Sequence, residues 1–294
     1  MKALVISGGG SKGAFAGGVA QYLIENKKKE YDIFLGTSTG SLMVTHLAIG
    51  RVQELKEIYS NVDQKTIFSN CPFKIKKYKG HNVVSINHLN TIRNFFNGSK
   101  TFGESHSLKE MIDKNVSDVY LQLAKDRGKK LIVTVSNLTL NKVEFKELEA
   151  DTFDDFRDYI WASSNFVPFM SLLVKNNYEY ADGGFANLVP INEAIRQGAT
   201  EIDAIILETE MSQLNRMPSR NPFSLITNLF SFMQTHIEKF NISIGQLEAL
   251  NRDIKLNLYF TPTVLTTNTL IFDKEKMAKW WEQGYEYAKN RGNE

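Results

Sequence analysis

At 294 residues, 42% of them hydrophobic, the chain can bury one large core or two small ones, and a single α/β domain with insertions is the simpler arrangement. Its 35 basic and 33 acidic residues leave a net charge of +2, without the basic excess that marks nucleic-acid binders. One cysteine, Cys71, excludes an intramolecular disulfide and the multi-cysteine zinc patterns, and no apolar run approaches the roughly 20 residues of a membrane span.

Residues 3–6 form a continuous apolar run that stops at a glycine-rich stretch, residues 7–13, and reads as a buried strand running into a loop. These opening residues are too few for a signal peptide, so a soluble, cytoplasmic protein is expected. Residues 14–26 carry Phe15, Val19, Tyr22 and Leu23 at helical spacing and end in three lysines, which suit the negative pole of a helix. A strand at 31–35, a glycine-flanked turn at 36–40 and a helix at 41–49 complete the opening of a parallel α/β sheet. Residues 61–105 lose that rhythm. Lysines alternate there with Phe73, Ile75 and Tyr78, and the stretch is expected to be an insertion or cap, its lysines facing either solvent or anionic head groups.

A helix is expected over 107–125, then a hairpin of strands 131–137 and 143–148 turning at Asn141. Helix 152–163 has Thr152 or Asp151 as its cap, and short strands at 172–174 and 178–180 turn about Asn176 and Asn177. Helix 191–197 stops at Gly198 before a buried strand at 203–207. Residues 211–222, polar with two prolines, predict a mobile loop. From about residue 223 the chain turns helical: a long amphipathic helix or pair over 223–250, a strand at 256–260 and a last helix at 274–291. The 223–250 stretch either covers the core or acts as a lid at a lipid surface. Residues 1–294 are thus expected to form one domain, with the insertion at about 61–105 and the helical part from about 223.

Gly36, Thr37, Ser38, Thr39 and Gly40 lie between a strand and a helix, the pattern of a nucleophile elbow, in which a strained turn exposes the serine oxygen. The same pattern also describes a plain glycine turn with a capping serine, so the rest of the chain must supply a base and an oxyanion hole. None of the histidines is well placed as the base. His46 lies two turns beyond Ser38, His81, His88 and His106 are in or beside the insertion, and His236 is within an apolar helix. Asp182 ends an aromatic, apolar strand before two glycines, where desolvation would raise its pKa toward the range of a working base, although an Asp-Gly turn gives the same letters. The loop of Gly8, Gly9, Gly10, Ser11, Lys12 and Gly13 presents backbone N–H groups at a helix start. It also fits a dinucleotide loop, but the second strand ends in Gly36-Thr37-Ser38, without the acidic residue that would hold a ribose.

Three motifs in this order, Gly8 to Gly13, then Gly36 to Gly40, then Asp182-Gly183-Gly184, resemble those of the patatin-like phospholipase family. Residues 137–139, 162–168 and 187–190 resemble the family's intervening segments, so the likeness covers about residues 1–210. Ser7 stands where many members have aspartate, and Lys12 where arginine is common. The resemblance implies a patatin-like three-layer α/β/α fold with a mixed, centrally parallel sheet. It also implies a serine ester hydrolase of phospholipase or lysophospholipase type, with Ser38 as nucleophile and Asp182 as its base. Gly8, Gly9, Gly10 and Ser11 would supply the oxyanion hole, with Lys12, Gly13, Gly36, Gly40, Gly183 and Gly184 supporting the motifs. No cofactor or metal is implied. The partner is a lipid substrate, met at a membrane or micelle surface; a soluble carboxylesterase or thioesterase, or a non-catalytic lipid- or partner-binding module, are the other readings.

Overall fold

The computed structural model describes residues 1–78, 81–96, 98–211, 219 and 222–292. Its elements run β1 (Lys2–Ile6), α1 (Gly13–Gln21), β2 (Ile33–Thr37), α2 (Val44–Ala48), α3 (Val52–Asn61), α4 (Gln64–Ile67), β3 (Phe73–Tyr78), β4 (His81–Ile86) and α5 (His88–Phe96). They continue through α6 (His106–Asn115), α7 (Asp118–Asp126), β5 (Lys130–Asn137), β6 (Lys142–Glu147), α8 (Phe153–Ser163), β7 (Leu173–Lys175) and β8 (Tyr178–Asp182). The last are α9 (Ile191–Arg196), β9 (Glu201–Ile206), α10 (Pro222–Asn251), β10 (Lys255–Phe260) and α11 (Lys274–Arg291).

The main sheet has the order β10-β9-β1-β2-β5-β8-β7, with β6 also paired to β5. Strands β10, β9, β1, β2 and β5 are mutually parallel, while β6, β8 and β7 join antiparallel at one side. Apolar side chains on alternate faces of each central strand explain why both faces are covered. Ala3, Val5, Ile33, Leu35, Ile132, Ile202 and Ala204 meet residues of α9 and α10 on one side. Leu4, Ile6, Phe34, Leu131, Val133 and Ile205 meet those of α1, α2, α3, α7, α8 and α11 on the other. The result is three layers, helix, mixed sheet, helix.

Several local expectations hold in detail. Asn141, Asn176 and Asn177 all have positive φ in their hairpin turns, Thr152 caps α8, and α11 has the expected bounds. Others need correction. The helix foreseen over 107–125 is two helices, broken at Val116 and Ser117, whose Oγ caps α7 by accepting the Tyr120 N–H. The helix foreseen from residue 41 begins only at Val44, because the chain leaves the elbow through a 3-10 turn, Ser38–Gly40. The insertion does hold regular structure: β3 and β4 form a separate antiparallel hairpin, followed by α5. The alternation of apolar residues and lysines was the period-two signal of that hairpin. The loop foreseen over 211–222 lies, apart from Met211, Ser219 and Pro222, outside the described residues. Residues 223–250 form one continuous helix within α10.

Candidate active site

Strand β1 is paired with β2 so that Ile6 faces Gly36, and the glycine loop and the elbow therefore leave neighbouring strands at the same height. This is the carboxyl end of a parallel sheet, where open α/β folds place their sites. Thr37 ends β2 opposite Thr134 of β5, and Asp182 ends β8 opposite Val135. Ser38 is one residue past Thr37 and Val135 one past Thr134, so the register brings Ser38 and Asp182 to one level across β5.

Ser38 has φ 55°, a left-handed conformation that costs a side-chain-bearing residue about 1–2 kcal/mol. Hydrogen bonds with the end of α8 and with Ser41 brace the turn. The Ser38 N–H donates to Ser163 Oγ at 3.0 Å, and the Ser38 carbonyl accepts from Ser41 Oγ at 2.6 Å and Ser164 Oγ at 3.2 Å. The exposed oxygen is thereby aimed at Asp182: Ser38 Oγ donates to Asp182 Oδ2 at 2.7 Å. The second carboxylate oxygen accepts the Gly184 N–H at 2.8 Å. Asp182 is 2% exposed, and burial pushes its carboxyl from 3.8 up to about 7, against the opposing hydrogen bonds from Ser38 and Gly184. A carboxyl poised there can take up a proton near neutral pH.

In the glycine loop, the Gly8 N–H donates to the Leu188 carbonyl at 3.2 Å and the Ser11 N–H to the Thr269 carbonyl at 2.8 Å. Those two donors are taken, whereas the N–H groups of Gly9 and Gly10 have no such partner among the described residues. Gly10 has φ +55°, and a Cβ there would run into the Thr269 carbonyl oxygen, so only glycine suits the position. A Cβ on Gly8 would stand 3.0 Å from Ser38 Cβ, a measure of how closely loop and elbow lie together. The supporting glycines sit at the contacts between these pieces: Gly13 against Thr39, Gly40 beneath the Ile6 carbonyl, and Gly183 against the Thr134 carbonyl. Lys12, only 3% exposed, is paired with Glu208 just beyond β9.

Gly8, Gly9, Gly10, Ser38 and Asp182 line one cavity of about 790 Å³. Most of the rest of its wall is apolar, and much of it comes from segments without a motif: Val84 and Ile86 of β4, and Phe230 of α10. Phe230 packs edge-on against Phe166, with ring centroids 5.5 Å apart. Among the described histidine side chains, His46 is buried edge-on to Tyr120, His106 stacks on Trp161 and His236 lies against Phe232. His88 lines the cavity without hydrogen-bonding Ser38. Sequence reasoning missed Ser163, Ser164, Thr269, Glu208 and Glu238. Only Glu238 had a usable signal, a carboxylate on a helix face that continues as Ile242 and Gly245 at helical spacing.

Fold and site together define an α/β protein with a buried serine–aspartate pair at the carboxyl end of a parallel sheet. A family profile described as patatin-like phospholipase matches residues 4–195, and the chain belongs to that family. The uncharacterized protein L620 of Acanthamoeba polyphaga mimivirus is 26% identical over 87% of this chain and 82% of its own. The uncharacterized protein YjjU of Escherichia coli is 22% identical over 74% of this chain and 54% of its own, so the chain spans about half of that relative. The crystal structure of VipD from Legionella pneumophila matches the fold with a TM-score of 0.54 at 15% identity, over 98% of this chain and 66% of that one.

Proposed function

We propose that the protein hydrolyses carboxylic esters of phospholipids or lysophospholipids through a Ser38–Asp182 dyad and an acyl-enzyme. The observation that carries this reading is the 2.7 Å contact from Ser38 Oγ to a fully buried Asp182, in the wall of an apolar cavity large enough for acyl chains. Ser38 Oγ attacks the acyl carbonyl while its proton passes to Asp182 Oδ2. The negative charge that forms on the carbonyl oxygen is met by the N–H groups of Gly9 and Gly10. Asp182 then gives the proton to the leaving alcohol, which departs and leaves the acyl group on Ser38. Water attacks that ester with Asp182 again taking the proton, and the fatty acid leaves as Ser38 recovers its hydrogen.

The surface around the cavity favours a lipid aggregate over a soluble ester as the substrate source. Leu89 and Phe96 of α5 and Phe232 of α10 are each more than half exposed. Both helices also supply cavity-lining residues, His88 and Phe230. No helix among the described residues is long and apolar enough to cross a membrane. The test is hydrolysis of micellar phospholipid against a monomeric short-chain ester, with Ser38→Ala as control. The reading expects a rise in rate above the micelle threshold, a loss of at least about a thousandfold in the variant, and fluorophosphonate labelling confined to Ser38. Turnover retained by a folded Ser38→Ala protein overturns the dyad.

A further inference from the structure

Glu238 has no part in the dyad, yet it lines the same cavity. It lies on the inner face of α10, followed at helical spacing by the buried residues Ile242 and Ala249, and by Gly245 against Ile191. Asn241, in the next turn, fixes that face by accepting the N–H groups of Leu188 at 2.8 Å and Val189 at 3.3 Å. Glu238 is 5% exposed, and its Oε2 is buried with no hydrogen-bond partner among the described residues. Lys12, which lines the same cavity, is already paired with Glu208. Burial, and after it the charge of Glu208, pushes the Glu238 carboxyl up to about 8, while Lys12 and Lys239 act in the opposite direction.

An unpartnered acid facing a cavity is an unfavourable place to leave a carboxyl unless a ligand completes it. The charge balance says which ligand. Lys239 is no part of the cavity wall, and within that wall Lys12 and Glu208 neutralise each other, so an ionised Glu238 leaves one surplus negative charge beside them. An anionic group would meet two carboxyls and a lysine already engaged. A cation that can also donate a hydrogen bond satisfies both the charge and the empty acceptor. We propose that Glu238, with the Lys12–Glu208 pair beside it, forms a polar subsite that receives the primary ammonium of a lipid head group. This rests on the cavity being the lipid site of the proposed hydrolase.

The first test needs no turnover, so it can be run in a Ser38→Ala background and is read independently of the dyad. Calorimetry at pH 7 compares monomeric octylammonium with octanol, using the parent protein and Glu238→Gln, which keeps the shape and removes the charge. The subsite predicts about tenfold tighter binding of octylammonium than octanol, a gap that closes in the variant while octanol binding stays the same. An equal gap in Glu238→Gln, or no gap in the parent, overturns it. Should the variant not fold, octylammonium titrations of the parent in buffers of different ionisation enthalpy decide the question. Octylammonium should release protons, because a cation beside the raised carboxyl favours its ionised form, whereas octanol should release none; equal release by the two refutes the subsite. In active enzyme, mixed micelles of equal acyl composition should show about tenfold higher kcat/KM for ethanolamine than for glycerol head groups. Glu238→Gln should lose that preference, and choline, which cannot donate to Oε2, should fall between them. A preference retained by the variant counts against the proposal.

Discussion

Replacing Asp182 by Asn should make the protein more stable and inactive, and the gain should appear only as pH rises. The carboxyl is 2% exposed and held at about 7 in the folded protein, against 3.8 for an ordinary aspartate. Its folded pKa is raised, so below about pH 4 both folded and unfolded chains are protonated there and the group is neutral to stability. Between pH 4 and 7 only the unfolded chain releases the proton, which draws the equilibrium toward unfolding. Above 7 both forms are ionised and the deficit is complete. At about 1.4 kcal/mol for each tenfold in proton affinity, the full deficit is roughly 4 kcal/mol. Asn retains an oxygen for the Gly184 N–H and an amide for Ser38, so little is lost in exchange. Urea unfolding of the two proteins from pH 4 to 9 measures the difference. The expected curve is flat below pH 4, rises to several kcal/mol in favour of Asp182→Asn by pH 8, and then levels. A difference independent of pH would refute the claim that folding raises the pKa of this carboxyl.

Three more outcomes follow from other parts of the molecule. The acid limb of kcat/KM for a soluble ester should have its midpoint near pH 7, because Asp182 must be ionised to accept the Ser38 proton; a midpoint near 4 would assign the base elsewhere. Asp203→Ala removes the buried acceptor shared by Tyr31 at 2.5 Å, Lys29 at 2.6 Å and Asn257 at 2.7 Å. It should lower stability by about 3 kcal/mol in thermal or urea unfolding, and a loss under 1 kcal/mol would mean water replaces the carboxylate. Exchanging exposed Leu89 and Phe96 for glutamate should cut the rate on vesicles about tenfold and leave monomeric-ester turnover unchanged, whereas an equal loss on both substrates would deny these residues an interfacial role.

The motifs and the central strands were legible because each carries a local physical signature. A short apolar run such as residues 3–6, stopped at once by glycines, suits a buried strand, and Asn176-Asn177 supplies the two positive φ values of a tight turn. The aromatic strand before Asp182 suited a desolvated carboxylate but equally an Asp-Gly turn, and it was the three motifs in order that singled it out; the register of β2, β5 and β8 accounts for its meeting Ser38. What the sequence hid was non-local. Nothing near Ser11 announces that its N–H is spoken for by Thr269, more than 250 residues away. Ser163 and Ser164 read as helix-end residues, and only the packed structure turns them into the supports of the elbow. The break at Ser117 was missed although a capping serine stood there and the buried positions change face across it, from Leu108 and Ile112 to Leu121 and Ala124.

The glycine loop has a further property that follows from where its supports lie in the chain. Helix α1, which leads out of the loop, has a Gly17 and Gly18 face filled by Trp281 of α11, while Gly284 of α11 sits against the Phe15 carbonyl. Trp281 Nε1 also donates to Gln21 Oε1 at 2.8 Å. Together with Thr269, these contacts make a segment made early depend on one made much later. On the ribosome, the first strand, loop and helix emerge long before Trp281 is made, and until then that glycine face has no neighbour to fill it. Contacts of such sequence separation form late and slowly. A chain shortened before α11 would therefore carry all three motifs while leaving the glycine face of α1, which leads out of the loop, without the side chain that fills it.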